Sequence, residues 1–433
     1  MTDLQARFHT VDDLPAPDLW REVETRALAM SAAPASGPAW LLIGLSALLM
    51  VGVGAAALFG SGLVEIPVLP DPSQTQSPDA SPTVDPSPAP SDIPTPPPDD
   101  SSTWSAAGEF EGTGTATLLP DGRVLVTGIF GEFGSSTASA LLFDPATIAW
   151  ARIPDMREAR QGNTATLSAD GTMVLVTGGS YADTDDSYLL NTTEVLNLDT
   201  LEWRSFPSML AARYGHTATL LPDGRLLVRG GIPPGLTPFA EVFDPASLSW
   251  TEVRELRTDS GGDTTLLADG RLLLLDRAQI YDPADGSLSQ TGEMVELRRG
   301  CSTATRLLDG RVLVAGGGGL PGICFTGDLA SAELFDPATG TWSATGAMTG
   351  GRSYHTASLL PDGRVLVAGG GYGFSQPVYE TAELYDPGTG LWTPTSSMLS
   401  ERTDHQAVTL ADGRVLVFGG GWGAEIYDPD GEN

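Results

Sequence analysis

The chain has 433 residues with 55 acidic side chains against 23 basic ones, a net charge of −32. That balance excludes the basic footprint that nucleic-acid binding requires. Length and composition leave room for one large domain plus appendages.

Residues 1–38 form a short polar tail with Arg7, Arg21 and Arg26, expected to be cytoplasmic, in which 18–28 can make about three helical turns. Residues 39–60 follow, 22 residues without a charge. That is enough rise to cross a hydrocarbon core of about 30 Å, and the stretch starts too late and runs too long for an ordinary cleaved leader. It reads as a transmembrane signal anchor. Three arginines precede it and none follows until Arg123, so the positive-inside rule puts the N-terminus in the cytoplasm and the rest outside, on a cell membrane crossed once. Residues 61–101 are a Pro/Ser/Thr/Asp-rich stalk, with 12 prolines between Ile66 and Asp100. Such a composition buries no core and favours extended polyproline II. All 23 basic residues are arginine, and the absence of lysine suggests a GC-rich, bacterial genome.

From residue 102 the chain repeats itself. In Arg352 to Trp392, two alternating apolar segments are joined by Asp362-Gly363 and end at Gly369-Gly370. A third strand then closes at Asp386-Pro387, and a fourth carries Trp392. Asp-Gly between alternating runs is a strong hairpin signal, and Pro ends the third strand. The Asp-Gly turn recurs at Gly122, Gly171, Gly224, Gly270, Gly310, Gly363 and Gly413, at spacings of 40 to 53 residues. Seven four-stranded units at that period describe a closed propeller. The seventh copy stops at Asp428-Pro429 without its Trp strand, while an orphan Ser102-Thr103-Trp104-Ser105 stands before the first. The Trp104 strand is therefore expected to complete the last blade and remove the open edge.

The double glycine, the Tyr or Phe before Asp-Pro, and the Trp together resemble the kelch repeat, from about Ser102 to the C-terminus. The resemblance implies an all-β, seven-bladed kelch-type β-propeller of four-stranded antiparallel blades over 102–433.

Aligning the copies sets out an internal pattern. Five carry an arginine near the start of the first strand (Arg160, Arg213, Arg299, Arg352, Arg402) and a glutamate on the third (Glu194, Glu241, Glu333, Glu383, Glu425), together with the double glycine. Copies one and four lack all three, with Glu111 or Asp259 at the first position and Ala140 or Gln279 at the second. Joint presence suggests contact, and a bidentate Arg–Glu pair within or between blades is expected. Five repeats of one pair argue for structure rather than an anion site. Cys301 and Cys324 fall in the same copy and are expected to form a disulfide outside the cell.

His216, His355 and His405 each stand three residues after an arginine of this set. Their repeat positions place them in different blades, which argues against one shared metal. Copper radical oxidases resembling galactose oxidase share the seven-bladed kelch-like fold, and need two His, two Tyr and a Tyr-linked Cys. Here the histidines belong to the repeat and neither Cys has an evident Tyr partner. No catalytic residue, cofactor or metal is assigned.

The Asp-Gly and Asp-Pro turns share one face of the disc, and the loops after the double glycine vary on the other. Variable loops on a rigid scaffold are where binding resides. Their aromatics are the candidate contacts: Phe130, Phe133, Tyr181, Tyr188, Phe239, Phe325, Tyr372, Phe374, Tyr379 and Trp422. The reading is a membrane-anchored, extracytoplasmic module that binds a protein, peptide or glycan through this face. A propeller enzyme, either an oxidase or a sugar-modifying enzyme, is the alternative, and a cell-envelope spacer is a third.

Overall fold

In a computed structural model, residues 103–431 are described except 131–134, 184–185, 232–238, 257–263, 297, 299, 321–322 and 372–376; for 319–320 and 323–327 the backbone alone is described. The expected tail, transmembrane segment and stalk lie outside the described residues. Among the described residues no helix is long and apolar enough to cross a membrane.

Blade 6 shows how the repeat folds. Its strands are Thr356–Leu359, Val365–Ala368, Ala382–Asp386 and Leu391–Thr395, paired antiparallel in that order. Gly363 turns the first hairpin with φ +91°, a conformation that costs glycine nothing. Asp362 fixes this turn by accepting from the Arg364 amide at 2.9 Å and from its Nε at 2.6 Å. At the second turn the Asp386 carboxylate accepts from the Gly388 amide at 2.8 Å. Trp392 then stands opposite Tyr385, ring centroids 5.0 Å apart.

Among the described residues there are seven such four-stranded sheets. The first strand of each contacts the first strand of the next, including the last with the first, so the seven make a closed ring around an axis. Blade 7 takes its fourth strand from the other end of the chain: Thr103–Ala106 pairs antiparallel with Ala424–Asp428, Trp104 opposite Tyr427. Thr103 lies opposite Asp428, so the chain enters the disc on the short-turn face.

The apolar core is divided among the blade junctions. Each of seven buried clusters joins two neighbouring blades; at the closing junction Phe110, Val124, Val126 and Phe143 meet Leu416, Phe418 and Ile426. Strand residues alternate between the two faces of a sheet, and each face is covered by the adjoining blade. At the rim, six tryptophans reach back across the junctions. The indole N–H of Trp150, Trp203, Trp250, Trp392 and Trp104 donates to a carbonyl in the segment leaving the preceding blade at 2.8 Å, and that of Trp342 to Thr291 Oγ1 at 3.0 Å. On the short-turn face, guanidiniums that follow Asp-Gly cross to the next blade: Arg225 to Pro283 O, Arg271 to Pro337 O, Arg311 to Pro387 O and Arg414 to Pro145 O.

Blade 4 departs from the pattern. Its second strand, Leu272–Leu274, runs into a 3-10 turn, Leu275–Arg277, and Ala278 at φ +48° leads directly to the third strand. No double glycine and no long loop stand between them.

Candidate functional site

Beneath the loop-rich face, five blades carry one repeated lock. An arginine side chain enters from the segment before the first strand and lies fully buried. In blade 6, Arg352 Nη1 donates to Gly369 O at 2.8 Å and Nη2 to Glu383 Oε1 at 3.0 Å. The same pairs within one blade are Arg160–Glu194 at 2.7 Å, Arg213–Glu241 at 2.8 Å and Arg402–Glu425 at 2.6 Å. In blade 5 the partner of Glu333 is Arg298, at 3.4 Å, rather than the expected Arg299, which lies outside the described residues. Gly300 there adopts φ +117° just before the left-handed Cys301. Blade 1 holds Leu141, not Ala140, at the glutamate position, since it pairs with Val126 as Glu241 pairs with Val228.

The pairs are not the two-oxygen forks that the sequence suggested. Arg213 and Arg402 place both Nε and Nη2 on a single oxygen, Oε1. The second oxygen is occupied by backbone: Arg157, Leu210, Val295, Thr349 and Leu399 each donate their amide to Oε2 of their blade's glutamate. Each carboxylate therefore neutralises a buried guanidinium and also fixes the segment that enters the blade.

The double glycine serves two partners. A Cβ on Gly369 would sit 2.8 Å from His405 Cε1 in blade 7, and a Cβ on Gly370 would sit 2.7 Å from His355 Cβ in its own blade. The first glycine thus admits the histidine of the following blade. His216, His355 and His405 are buried, and each Nε2 bonds a threonine of the preceding blade: Thr164 at 3.1 Å, Thr303 at 3.0 Å and Thr356 at 2.8 Å. Burial, reinforced by the nearby arginine, pushes all three down to about 3, so they are neutral. They are inter-blade wedges in separate blades. Among the described residues no three His, Cys, Asp or Glu side chains gather as a metal set.

No family model matches the chain. A stretch of 269 residues, 58% of it, is 25% identical to Kelch-like protein 23 of Mus musculus and to that of Homo sapiens, covering 44% of each. The repeated lock, the seven closed blades and these relatives decide the family. The chain is a kelch-repeat β-propeller. It spans less than half the length of the curated relatives it matches. Its fold also resembles a fungal alcohol oxidase of the AA5 family solved in complex with copper, with a TM-score of 0.61 at 20% identity, over 75% of this chain and 76% of that one. At that identity the likeness concerns the fold. The kelch histidines described above, each committed to a threonine, do not fit a shared copper site.

The candidate aromatics of this kelch propeller fall into three groups. Phe133, Phe325, Tyr372 and Phe374 lie outside the described side chains. Phe130, Phe239 and Tyr379 are half-buried and tied to the scaffold: Phe130 bridges Ser136, Phe239 O accepts from Arg213, and Tyr379 lies under the Arg352 guanidinium, 5.0 Å from its ring centre. The remainder are accessible. Tyr181 and Tyr188 stack at 5.0 Å on a hairpin of Ser180–Ala182 and Ser187–Leu189. A hydrogen bond to Asp183 pushes the Tyr181 phenol up to about 12. Trp422 is 86% exposed, and its carbonyl is held by Arg402 Nη2 at 2.6 Å.

Sequence reasoning missed a further set. Leu210, Val295 and Leu399 occupy equivalent places in the segments entering blades 3, 5 and 7, and are 61 to 63% exposed. Their amides are those gripped by Glu241, Glu333 and Glu425. The available signal was an apolar residue after Met209, Met294 and Met398. The Cys301 thiol is in a disulfide, and Cys324 is the chain's other cysteine.

Proposed function

We propose that this propeller is an extracytoplasmic binding module, anchored by residues 39–60, that recognises a protein, peptide or glycan through its loop-rich face. The observation that carries the reading is the set of exposed apolar side chains fixed from below. Leu210, Val295, Leu399 and Trp422 project from backbone gripped by the buried Arg–Glu locks. Ordinary surfaces leave large apolar groups scattered and mobile, whereas pre-organised apolar anchors reduce the entropy lost on binding. Catalysis remains the alternative, but the observations above favour binding.

The test is binding of the full chain, purified in mild detergent, to arrays of peptides and glycans. Trp422→Ala and Leu399→Ala should abolish the strongest signals, whereas Leu308→Ala, exposed on the short-turn face, should leave them intact. Equal losses for both faces, or no ligand above background, would sink the proposal.

A further inference from the structure

On the loop-rich face the ring of first strands ends in a ring of backbone. Gly162, Gly215, Cys301, Tyr354 and Asp404 hold equivalent places in blades 2, 3, 5, 6 and 7, all left-handed, with φ between +52° and +64°. They are joined across blades: Gly215 N–H donates to Gly162 O at 2.9 Å, Tyr354 N–H to Cys301 O at 3.3 Å, and Asp404 N–H to Tyr354 O at 3.0 Å. For the two glycines this backbone is free of cost. For the other three it is strained, and strain of this kind persists where the surroundings impose it and clusters at working sites.

The strained arc carries chemistry that the repeat does not need. Asp404 is accessible to solvent. Among the described residues its carboxylate has no hydrogen-bond or ion-pair partner, and the surrounding protein raises its pKa by desolvation alone. Tyr214, from blade 3, lies over the facing part of the mouth: a Cβ on Gly162 would sit 2.2 Å from its ring. Its phenol pKa is raised by burial and then by the Asp404 charge. Tyr354, half-exposed, lies directly beside Asp404 in the backbone chain. The cations nearest in sequence, Arg213, Arg352 and Arg402, are buried and already neutralised by Glu241, Glu383 and Glu425.

We propose that the axial mouth binds one organic cation, the guanidinium or ammonium of a basic side chain presented by a peptide partner, with Asp404 as counter-ion and Tyr214 and Tyr354 as aromatic walls. The inference rests on the binding reading above and names the chemistry of its partner. A lone accessible carboxylate offers a basic side chain a charge-assisted bond, and tyrosine faces attract cations. The net charge of −32 draws cations toward the protein and repels anions. A bare metal ion is a poor fit, because among the described residues no second and third ligand join Asp404.

The probe is a capped Gly-Gly-Arg-Gly-Gly peptide titrated calorimetrically into the full chain, beside its citrulline isostere, which keeps the shape and lacks the charge, and agmatine as a free cation. The arginine peptide should bind, with the citrulline peptide at least about tenfold weaker. Asp404→Asn, chosen because Asn tolerates a left-handed backbone, should weaken the arginine peptide by a similar factor at unchanged melting temperature. If that variant fails to fold, the citrulline comparison on the unmodified protein decides. Equal affinity for the two peptides, an unaffected Asp404→Asn variant, or no binding of the arginine peptide overturns the proposal. Agmatine binding as tightly as the peptide overturns the peptide origin of the cation. Failure here with array ligands still bound would remove this inference and leave the binding reading standing, whereas failure of both would remove both.

Discussion

Replacing Gly369 by alanine isolates the wedge between blades 6 and 7. Its backbone, at φ +63°, is nearly that of Gly340, at φ +69°, so the left-handed conformation should cost an alanine about 1–2 kcal/mol at either position. Their surroundings differ. A Cβ at Gly340 meets nothing within 4 Å, whereas at Gly369 it would stand 2.7 Å from Arg402 O and 2.8 Å from His405 Cε1. Arg402 O is itself bound by the Gly370 amide at 2.8 Å, so it retreats only by giving up a bond between blades. Overpacking of this kind adds about 1–3 kcal/mol.

The expected losses are therefore about 1–2 kcal/mol for Gly340→Ala and about 2–5 kcal/mol for Gly369→Ala, read from urea unfolding of the full chain followed by tryptophan fluorescence. Gly316→Ala should behave like Gly369→Ala, because its Cβ would lie 2.5 Å from Arg352 O and from His355 Cε1. Adding His405→Ala to Gly369→Ala should recover only part of the loss, since the carbonyl contact remains. If Gly369→Ala and Gly340→Ala agree within about 0.5 kcal/mol, the first glycine is not there to admit the histidine and the account of the lock fails.

Other perturbations test the ring and its charges. Trp104→Ala removes a ring 5.1 Å from Tyr427 and the bond to Ser396 O, and should cost about 3–5 kcal/mol by the same assay; an unchanged midpoint would mean that the N-terminal strand does not hold the ring closed. Glu383→Leu strands the buried Arg352 charge and should cost about 3–5 kcal/mol. Asp155→Asn, whose partner Arg152 is 62% exposed, should cost at most about 1 kcal/mol, and equal effects would refute the lock. The histidines, lowered from 6.5 to about 3, bind protons in the unfolded chain before the folded one. Their contribution is complete above pH 6.5 and is lost as pH falls toward 3, by roughly 1.4 kcal/mol per unit for each fully linked histidine. His405→Asn, which copies the Asn163 that blade 2 carries at this repeat position, should flatten the fall in melting temperature with pH. A curve parallel to that of the unmodified protein would contradict the burial.

What the sequence showed and what it hid divide along one line. The seven Asp-Gly turns, the double glycines and the tryptophans are legible because each acts within its own repeat and recurs in register. Arg298 was hidden because counting back from Gly310 reaches Arg299, and nothing in the letters announces that blade 5 pairs its glutamate with the arginine one residue earlier. The single-oxygen pairing was hidden because competition from the Leu210 or Thr349 amide is a property of the folded segment. Tyr354 and Asp404 were hidden for a third reason. Their repeat positions are glycine in blades 2 and 3, and only ring closure brings Tyr214 into reach of a charge nearly 200 residues away.

The junction between blades 3 and 4 shows what the lock is for, because there it is absent and something else replaces it. Blade 4 has no double glycine, and Gln279 stands where five other blades carry glutamate. Instead Arg229 of blade 3, 1% exposed, reaches Asp276 of blade 4 with Nη2 at 2.8 Å from both carboxylate oxygens. Its register partners are the small Thr177, Ala315 and Ala368 in blades 2, 5 and 6, and the apolar Phe418 in blade 7. A polar tie across the junction is thus retained while the motif is lost. The substitute is less complete, since Arg229 Nε and Nη1 have no partner among the described residues. A buried pair with incompletely repaid desolvation is costly to break and cheap to replace outright. Arg229→Met should therefore cost about 3 kcal/mol, near the low end because Arg277 stands 4.0 Å from the abandoned carboxylate. Arg229→Met combined with Asp276→Leu should return to within about 1 kcal/mol of the unmodified protein. A double variant as unstable as the single one would show that the junction needs this charge pair itself, and not simply a filled and neutral contact.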